Sequence, residues 1–142
     1  MPIYEMDKAR AGMKADAGFD RVESFPAEGA INFGRVVGVS ATGGVVEGPG
    51  TRIAGIALHT HTKVDAYAEF DDVSVLTRGL AWCPVVGAGV VTEGGAVEIN
   101  AAGEVQDANV GTAYPNAVFR SGAETMSDGT VLALVEAHSP TA

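Results

Sequence analysis

The stretch Tyr67–Pro84, YAEFDDVSVLTRGLAWCP, decides the fold of this 142-residue chain. It joins an acidic turn at Asp71 and Asp72 to a long β-like run that contains Gly79 and the single tryptophan, Trp82. Apolar residues stand on both faces of the run. This pattern predicts a strand that lies between two packed layers, or one that is bulged near Gly79 so that its inward face switches. We therefore expect this strand to form the core of the domain.

Short apolar runs punctuated by glycine-rich turns continue on both sides of this strand. Ile31–Val39 predicts a first strand, Ile53–Leu58 a second and Thr130–Ala137 the last. Ala96–Ile99 and Glu104–Val105 predict a hairpin joined by a short loop containing glycine. Such closely spaced strand signals, without a convincing helical period, predict an all-β fold. We expect a compact β-barrel or β-sandwich of short antiparallel strands.

The N-terminal segment differs from the rest of the chain. Residues 1–25 alternate charged residues with Ala and Gly and show neither a sustained strand period nor a clean helical face. We interpret them as an extended arm that is either mobile or ordered by a partner, followed by a single β domain over residues 26–142. The larger apolar side chains of the arm are Ile3, Tyr4, Met6, Met13, Phe19, Val22 and Phe25.

The composition is that of a folded protein, with 46% hydrophobic and 19% charged residues. A domain of this size buries about two-thirds of the surface that its unfolded chain exposes, so it needs no disulfide scaffold. The lone cysteine, Cys83, lies in an apolar run, which predicts a buried and inert thiol. The predicted core residues are Phe33, Val37, Ile56, Val75, Leu76, Leu80, Trp82, Leu132 and Leu134.

The charge and the hydropathy of the chain argue against nucleic acids and membranes as partners. With 18 acidic and 9 basic residues the formal net charge is −9, which repels the phosphates of nucleic acids. No window approaches the roughly 20 apolar residues of a membrane span. The first ten residues, MPIYEMDKAR, also lack the apolar segment of a signal peptide. We therefore expect binding to neither nucleic acid nor membrane.

The histidines form the first candidate for chemistry. His59 and His61 would face the same side of a strand, so both imidazoles could reach one metal ion. The remaining ligand candidates are only His138 and the nearby Asp65, which favours a polar surface loop over a metal site. A pH-sensitive contact at a subunit interface stays open as an alternative role for this pair.

The remaining candidates also favour structural roles. Glu69, Asp71 and Asp72 could serve as paired carboxylates or bind a hard cation, but turn formation by Asp explains them more simply. The glycine-rich loops match neither a P-loop nor a dinucleotide fingerprint, and no G-x-S-x-G elbow is present. Trp82 and Tyr67 could stack on a sugar, although a core role is favoured. The sequence thus predicts no catalytic, cofactor-binding or metal-binding residue.

Four motifs occur in an order and spacing that resemble the decoration, or structural cement, proteins of tailed-phage capsids. They are AINFGRVV at Ala30–Val37, Gly55-Ile56-Ala57, VSVLTRGLAW at Val73–Trp82 and the Val-x-x-Gly-x-x-Val element at Val91–Val97. The motifs consist of packing and turn residues and contain no catalytic signature. The resemblance therefore points to a shell-stabilising protein rather than an enzyme.

The resemblance implies a compact, β-tulip-like domain that binds the major capsid protein. Proteins of this kind sit on the outer surface of the head as oligomers, so we expect a homotrimer, or otherwise a dimer, located in the virion and in the host cytoplasm during assembly. The apolar residues of the arm are the implied contacts with the capsid. The alternatives are a ligand- or carbohydrate-binding β-sandwich module of a phage tail or surface structure, and a hydrolase or isomerase on a β-barrel.

Overall fold

The computed structural model describes residues 11–60, 66–87, 89–109 and 111–138, apart from the side chains of residues 16–19. Within these residues the chain forms strands and no helix, which confirms the all-β prediction. The strands are β1 Lys14–Pro26, β2 Ile31–Asn32, β3 Val36–Val39, β4 Val45–Glu47, β5 Arg52–Ala57, β6 Ala66–Tyr67, β7 Asp72–Pro84, β8 Ala96–Ile99, β9 Val105–Asp107, β10 Thr112–Phe119, β11 Glu124–Thr125 and β12 Val131–His138.

One large antiparallel sheet holds most of these strands. Its order is β4-β3-β5-β7-β12-β10-β8-β9, with β1 paired to β7 and β11 paired to β12. Strands β2 and β6 form a separate two-stranded sheet. The large sheet is not closed into a barrel, so the barrel form of the prediction does not apply.

Strand β7 links the two halves of the large sheet, as its apolar character on both faces suggested. Its first half pairs with β5 up to Leu76, and its second half pairs with β12 from Arg78 onward. Gly79 stands at this change of partner with a φ of 135°, a conformation that side-chain-bearing residues rarely adopt. The register irregularities nearby lie on the β1 side, around Arg21, whereas the pairing of β7 with β12 runs without a shift.

The predicted first strand, Ile31–Val39, is in fact two short strands, and this expectation was wrong. The chain turns between β2 and β3 at Gly34, which has a φ of 82°. A Cβ at Gly34 would lie 2.7 Å from the backbone nitrogen of Gly12, so only glycine fits this close approach. The alternation of apolar residues across this stretch concealed the turn.

The described part of the predicted arm belongs to the sheet. Strand β1 pairs with β7 from Lys14 opposite Ala81 to Pro26 opposite Asp72. The extended conformation expected for this segment is therefore present, but as a strand of the domain and not as a separate arm. Sequence reasoning missed the pairing because backbone hydrogen bonds sustain it, while the side chains of β1 show no continuous apolar stripe.

Most of the predicted core residues are buried. Phe33, Val37, Ile56, Val75, Leu76, Trp82 and Leu132 are inaccessible or nearly so. Leu80 and Leu134 are only half-buried, which corrects their assignment to the core. They alternate with buried neighbours on β7 and β12, and the sheet face they share is incompletely covered. Leu134 packs at the margin of a small cluster formed by Trp82, Met126 and Leu132.

A buried carboxylate on β8 fixes the adjoining loop. Glu98 is 2% exposed and accepts hydrogen bonds from the Asn109 backbone N–H at 2.5 Å, the Gly111 backbone N–H at 2.8 Å and the Gln106 side-chain amide at 2.6 Å. These bonds, led by the one from Asn109, hold the pKa of Glu98 below its ordinary value. The carboxylate thus connects the β8–β9 hairpin to the start of β10.

We predict that the stability of Glu98→Gln falls less than that of wild type as the pH is lowered from neutral. Because the folded-state pKa lies below the unfolded value of about 4.3, the ionised carboxylate stabilises the fold above that pH, and the contribution disappears as pH falls through the folded pKa. Thermal unfolding measured from neutral pH downward should show the variant less stable at neutral pH, with a gap that narrows in acid. Glu93→Gln, in an exposed turn, is the control. Parallel curves for wild type and Glu98→Gln would contradict the assignment.

Candidate functional site

Strand β1 presents an open edge. It pairs with β7 on one side, and no other strand in the described part of the chain pairs with it. An edge of this kind offers unpaired backbone donors and acceptors to a partner, and charged side chains commonly protect it from unwanted association. Lys14 Nζ lies 2.5 Å from Asp20 Oδ2, which holds the pKa of Asp20 below its ordinary value, and Arg21 Nε lies 3.5 Å from Glu23 Oε2.

Three of the predicted capsid-binding residues of the arm have described side chains, and these three differ in exposure. Met13 and Val22 are exposed, by 41% and 43%. Phe25 is half-buried and packs against the core cluster that contains Ala27 and Ile31. Phe19 lies in β1, but its side chain is outside the described part of the structure. Ile3, Tyr4 and Met6 lie outside the described residues altogether. The structure therefore directs Phe25 toward the domain and leaves Met13 and Val22 available for contact.

A tight turn between β6 and β7 lies beside the end of β1. The Asp71 backbone N–H donates to the Ala68 carbonyl at 3.1 Å, and the Ala68 N–H donates to the Asp71 carboxylate at 2.8 Å. Two further backbone bonds attach the turn to Ala27, one from the Phe70 N–H to the Ala27 carbonyl and one from the Ala27 N–H to the Asp71 carbonyl, both 2.8 Å. The predicted acidic turn is thus present and is held from both sides.

Phe70 occupies the third position of this turn. Its φ is 73°, and Glu69 before it does not have a positive φ, which is the pattern of a type II turn. The side chain of Phe70 is 83% exposed, the largest value among the described large apolar residues. Phe70 was not among the surface residues expected from the sequence. The signal that was available was the Asp pair that follows it.

The histidine candidates do not form a metal site in the described part of the chain. The ring of His59 packs edge-on against Phe33, with centroids 4.8 Å apart, while His61 and Asp65 lie outside the described residues. His138 pairs with Glu136 on the same strand. Across residues 11–60, 66–87, 89–109 and 111–138, no three His, Cys, Asp or Glu side chains are grouped so that they could hold a metal ion.

The aromatic and thiol candidates are parts of the core. Trp82 is 5% exposed, and Tyr67 is 3% exposed and donates its hydroxyl to the Leu58 carbonyl at 2.7 Å. Neither ring can serve as a platform for a sugar, so the carbohydrate-binding alternative loses the residues on which it rested. Cys83 is fully buried, and this burial raises the pKa of its thiol, as expected for an inert cysteine.

An open cleft of about 660 Å³ lies near the first described residue, Ala11. Phe33, Pro84 and Val131 give it an apolar wall. Its charged lining residues, Arg35 and Glu104, approach each other to 3.6 Å, and Arg35 also donates to the Ala102 carbonyl at 3.3 Å. Among the described residues, no helix has the length and apolar character needed to cross a membrane.

Comparisons with known proteins identify a family and a solved structure of similar fold. The model of a family described as "Structural cement protein (E217 gp24/Pam3 gp6)" matches residues 2–137. A chain from a solved structure described as "The capsid of Myoviridae Phage XM1" has a similar fold, with a TM-score of 0.77 at 22% sequence identity. The similarity covers 99% of the present chain and 96% of the other. Comparison with curated proteins gives no match.

Proposed function

Because the chain belongs to the structural cement protein family of phages, we propose that it binds the outside of the expanded head as an oligomer and stabilises the shell against the pressure of packaged DNA. Membership of the family gives the chain a capsid-stabilising role in the virion, through binding to shell proteins. The family match over residues 2–137 is the observation that carries the proposal. The family is a structural one.

The stabilisation is additive in this proposal. A protein that binds one state of the shell favours that state by RT ln(1 + [L]/Kd) at each site, which is about 2.7 kcal/mol when the free concentration is a hundred times Kd. Bound subunits that bridge neighbouring major capsid subunits would apply this free energy at every joint they cover. Many modest contacts then oppose a pressure that acts on the whole shell.

We propose that the N-terminal segment contacts the capsid. Residues 1–10, with Ile3, Tyr4 and Met6, would supply contacts with the capsid. The exposed Met13 and Val22 and the open edge of β1 support a contact in which backbone hydrogen bonds extend a sheet across the joint. In this proposal β1 attaches the segment to the domain, and residues 1–10 contact the capsid.

A closed oligomer suits the proposed location. Icosahedral shells present local three-fold and two-fold points, so a trimer, or otherwise a dimer, would match the symmetry of its binding place. The apolar side chains of Val90 and Val118 are exposed, by 68% and 37%, and are available for contacts between copies.

The test is the solution mass of the protein by light scattering, combined with sedimentation in the presence of empty expanded capsids. The proposal predicts a trimer or dimer that co-sediments with the capsids and saturates at a fixed ratio. Unexpanded shells serve as the control, since they lack the joint geometry of the mature lattice. A monomer that does not bind expanded capsids would contradict the proposal, and a glycan-binding screen would then test the ligand-binding alternative.

A further inference from the structure

The backbone at Phe70 is in a conformation that its side chain does not favour. A type II turn requires a positive φ at its third residue, where Gly or Asn is usual. The only other described non-glycine residue with a positive φ is Asn116, at 61°, and Asn is tolerated there. A bulky aromatic residue at a φ of 73° is an outlier and costs conformational free energy.

Nothing in the described protein compensates this cost through the ring. The Phe70 side chain is 83% exposed, so it contributes little to the core. A single exposed apolar residue is common in soluble proteins and needs no explanation by itself. An exposed phenylalanine at a position that disfavours phenylalanine is different, because a small or polar residue would suit the isolated domain better.

The turn holds the backbone of Phe70 in place. The hydrogen bonds from Asp71 to Ala68, from Ala68 to Asp71 and between the turn and Ala27 all measure between 2.8 and 3.1 Å. A side chain on a fixed backbone loses only its own rotamer freedom when a partner covers it. Buried aromatic anchors of this kind commonly contribute a large share of binding free energy at protein interfaces.

The charges beside the ring indicate the kind of partner. Glu69 and Asp72 flank Phe70 and are exposed, and Asp71 is partly exposed, whereas Ala66–Thr77 contains no Lys or Arg. The tip is therefore apolar at its centre and acidic around it. A second copy of this chain, with a net charge of −9, is a poor electrostatic match for such a tip.

We propose that Phe70 is an anchor that inserts into an apolar pocket with a basic rim on the phage shell protein. The inference rests on the proposed function, because that function supplies the shell as the partner. The conformational cost at Phe70 is retained in the free protein and is offset when the shell covers the ring. The acidic neighbours orient the tip against the basic rim.

The test compares variants of the full chain in binding to empty expanded capsids. Phe70→Asn suits the left-handed turn position and removes the ring, so the free protein should unfold at the same temperature as wild type or up to about 3 °C higher. Its affinity for capsids should fall about 30-fold or more, as for the loss of an interface hot spot. Phe70→Tyr, which retains a ring, should keep most of the affinity, and Asn116→Gly is the matched control at the other described non-glycine position with a positive φ.

Each outcome bears on a specific claim. If wild type binds capsids and Phe70→Asn binds within about twofold of it, the anchor is overturned while the cement function stands. Phe70→Asn could instead lower the solution mass of the protein and weaken capsid binding only because the oligomer dissociates. In that case the ring contacts a second copy, and the shell is excluded as its partner. If wild type does not bind capsids, both proposals fail.

Discussion

Deletion of residues 1–25 is expected to unfold the protein, whereas deletion of residues 1–10 should leave the fold intact and weaken binding to expanded capsids by about 30-fold or more. The two deletions differ by nearly all of strand β1, which pairs with β7 continuously from Val22 to Pro26 and irregularly before Val22. Loss of β1 would expose an edge of the strand that carries the buried residues Val73, Val75 and Leu76. An exposed apolar edge of this kind leads to aggregation.

The shorter deletion retains the contacts that fix the start of β1. The Gly12 N–H donates to the Trp82 carbonyl at 2.7 Å, and the Gly12 carbonyl accepts from the His59 N–H at 3.1 Å. Because these bonds begin after Ala11, a chain that starts at residue 11 keeps them. Its thermal unfolding should therefore remain cooperative and close to that of wild type, while its affinity for the shell falls by about 30-fold or more.

Circular dichroism, thermal unfolding and capsid co-sedimentation of both deletions check this prediction. A deletion of residues 139–142 is the matched control, since it shortens the other terminus after the last strand. If the chain without residues 1–25 folds as wild type does, β1 is dispensable to the sheet. If the chain without residues 1–10 binds capsids normally, the capsid-binding surface lies elsewhere on the protein.

The strands with strong apolar patterns were predictable from the sequence. The run around Val75 and Leu76, the last strand and the Ala96–Ile99 hairpin all appear where their period and turn residues placed them. Each of these strands buries one face or both. The residues on the buried faces are therefore apolar, and their spacing is visible in the sequence. The sequence predicted a possible bulge near Gly79, whereas the pairing of β7 with β12 runs through Gly79 without a shift.

The features missed were those that depend on backbone pairing and close approach. Strand β1 is held to β7 by main-chain hydrogen bonds, and such bonds leave little trace in side-chain composition. The turn at Gly34 exists because the backbone of Gly12, distant in sequence, packs against it. Neither contact can be read from a local window.

The candidate site shows the same contrast. The Asp pair at Asp71 and Asp72 predicted a turn, and the turn is present. The residue type of its most exposed residue, Phe70, gives no sign of a surface position, because phenylalanine is usually buried. Only the φ angle and the exposure of the ring together distinguish it from a core residue.

The central claim is that binding of this protein stabilises the expanded shell. In the proposed function the bound protein favours the assembled state at every joint it covers, so the temperature at which empty expanded shells disassemble should rise as protein is added. The rise should level off at the ratio where binding saturates, and Phe70→Asn should require about 30-fold more protein to reach the same rise.

The most direct measurement is therefore the disassembly temperature of shells that lack the protein, followed by light scattering as purified protein is titrated in. The account predicts a saturable increase for wild type and none for the chain without residues 1–10 at the same concentration. Saturating binding of wild type with no change in the disassembly temperature would contradict the account, since the protein would then coat the shell without cementing it.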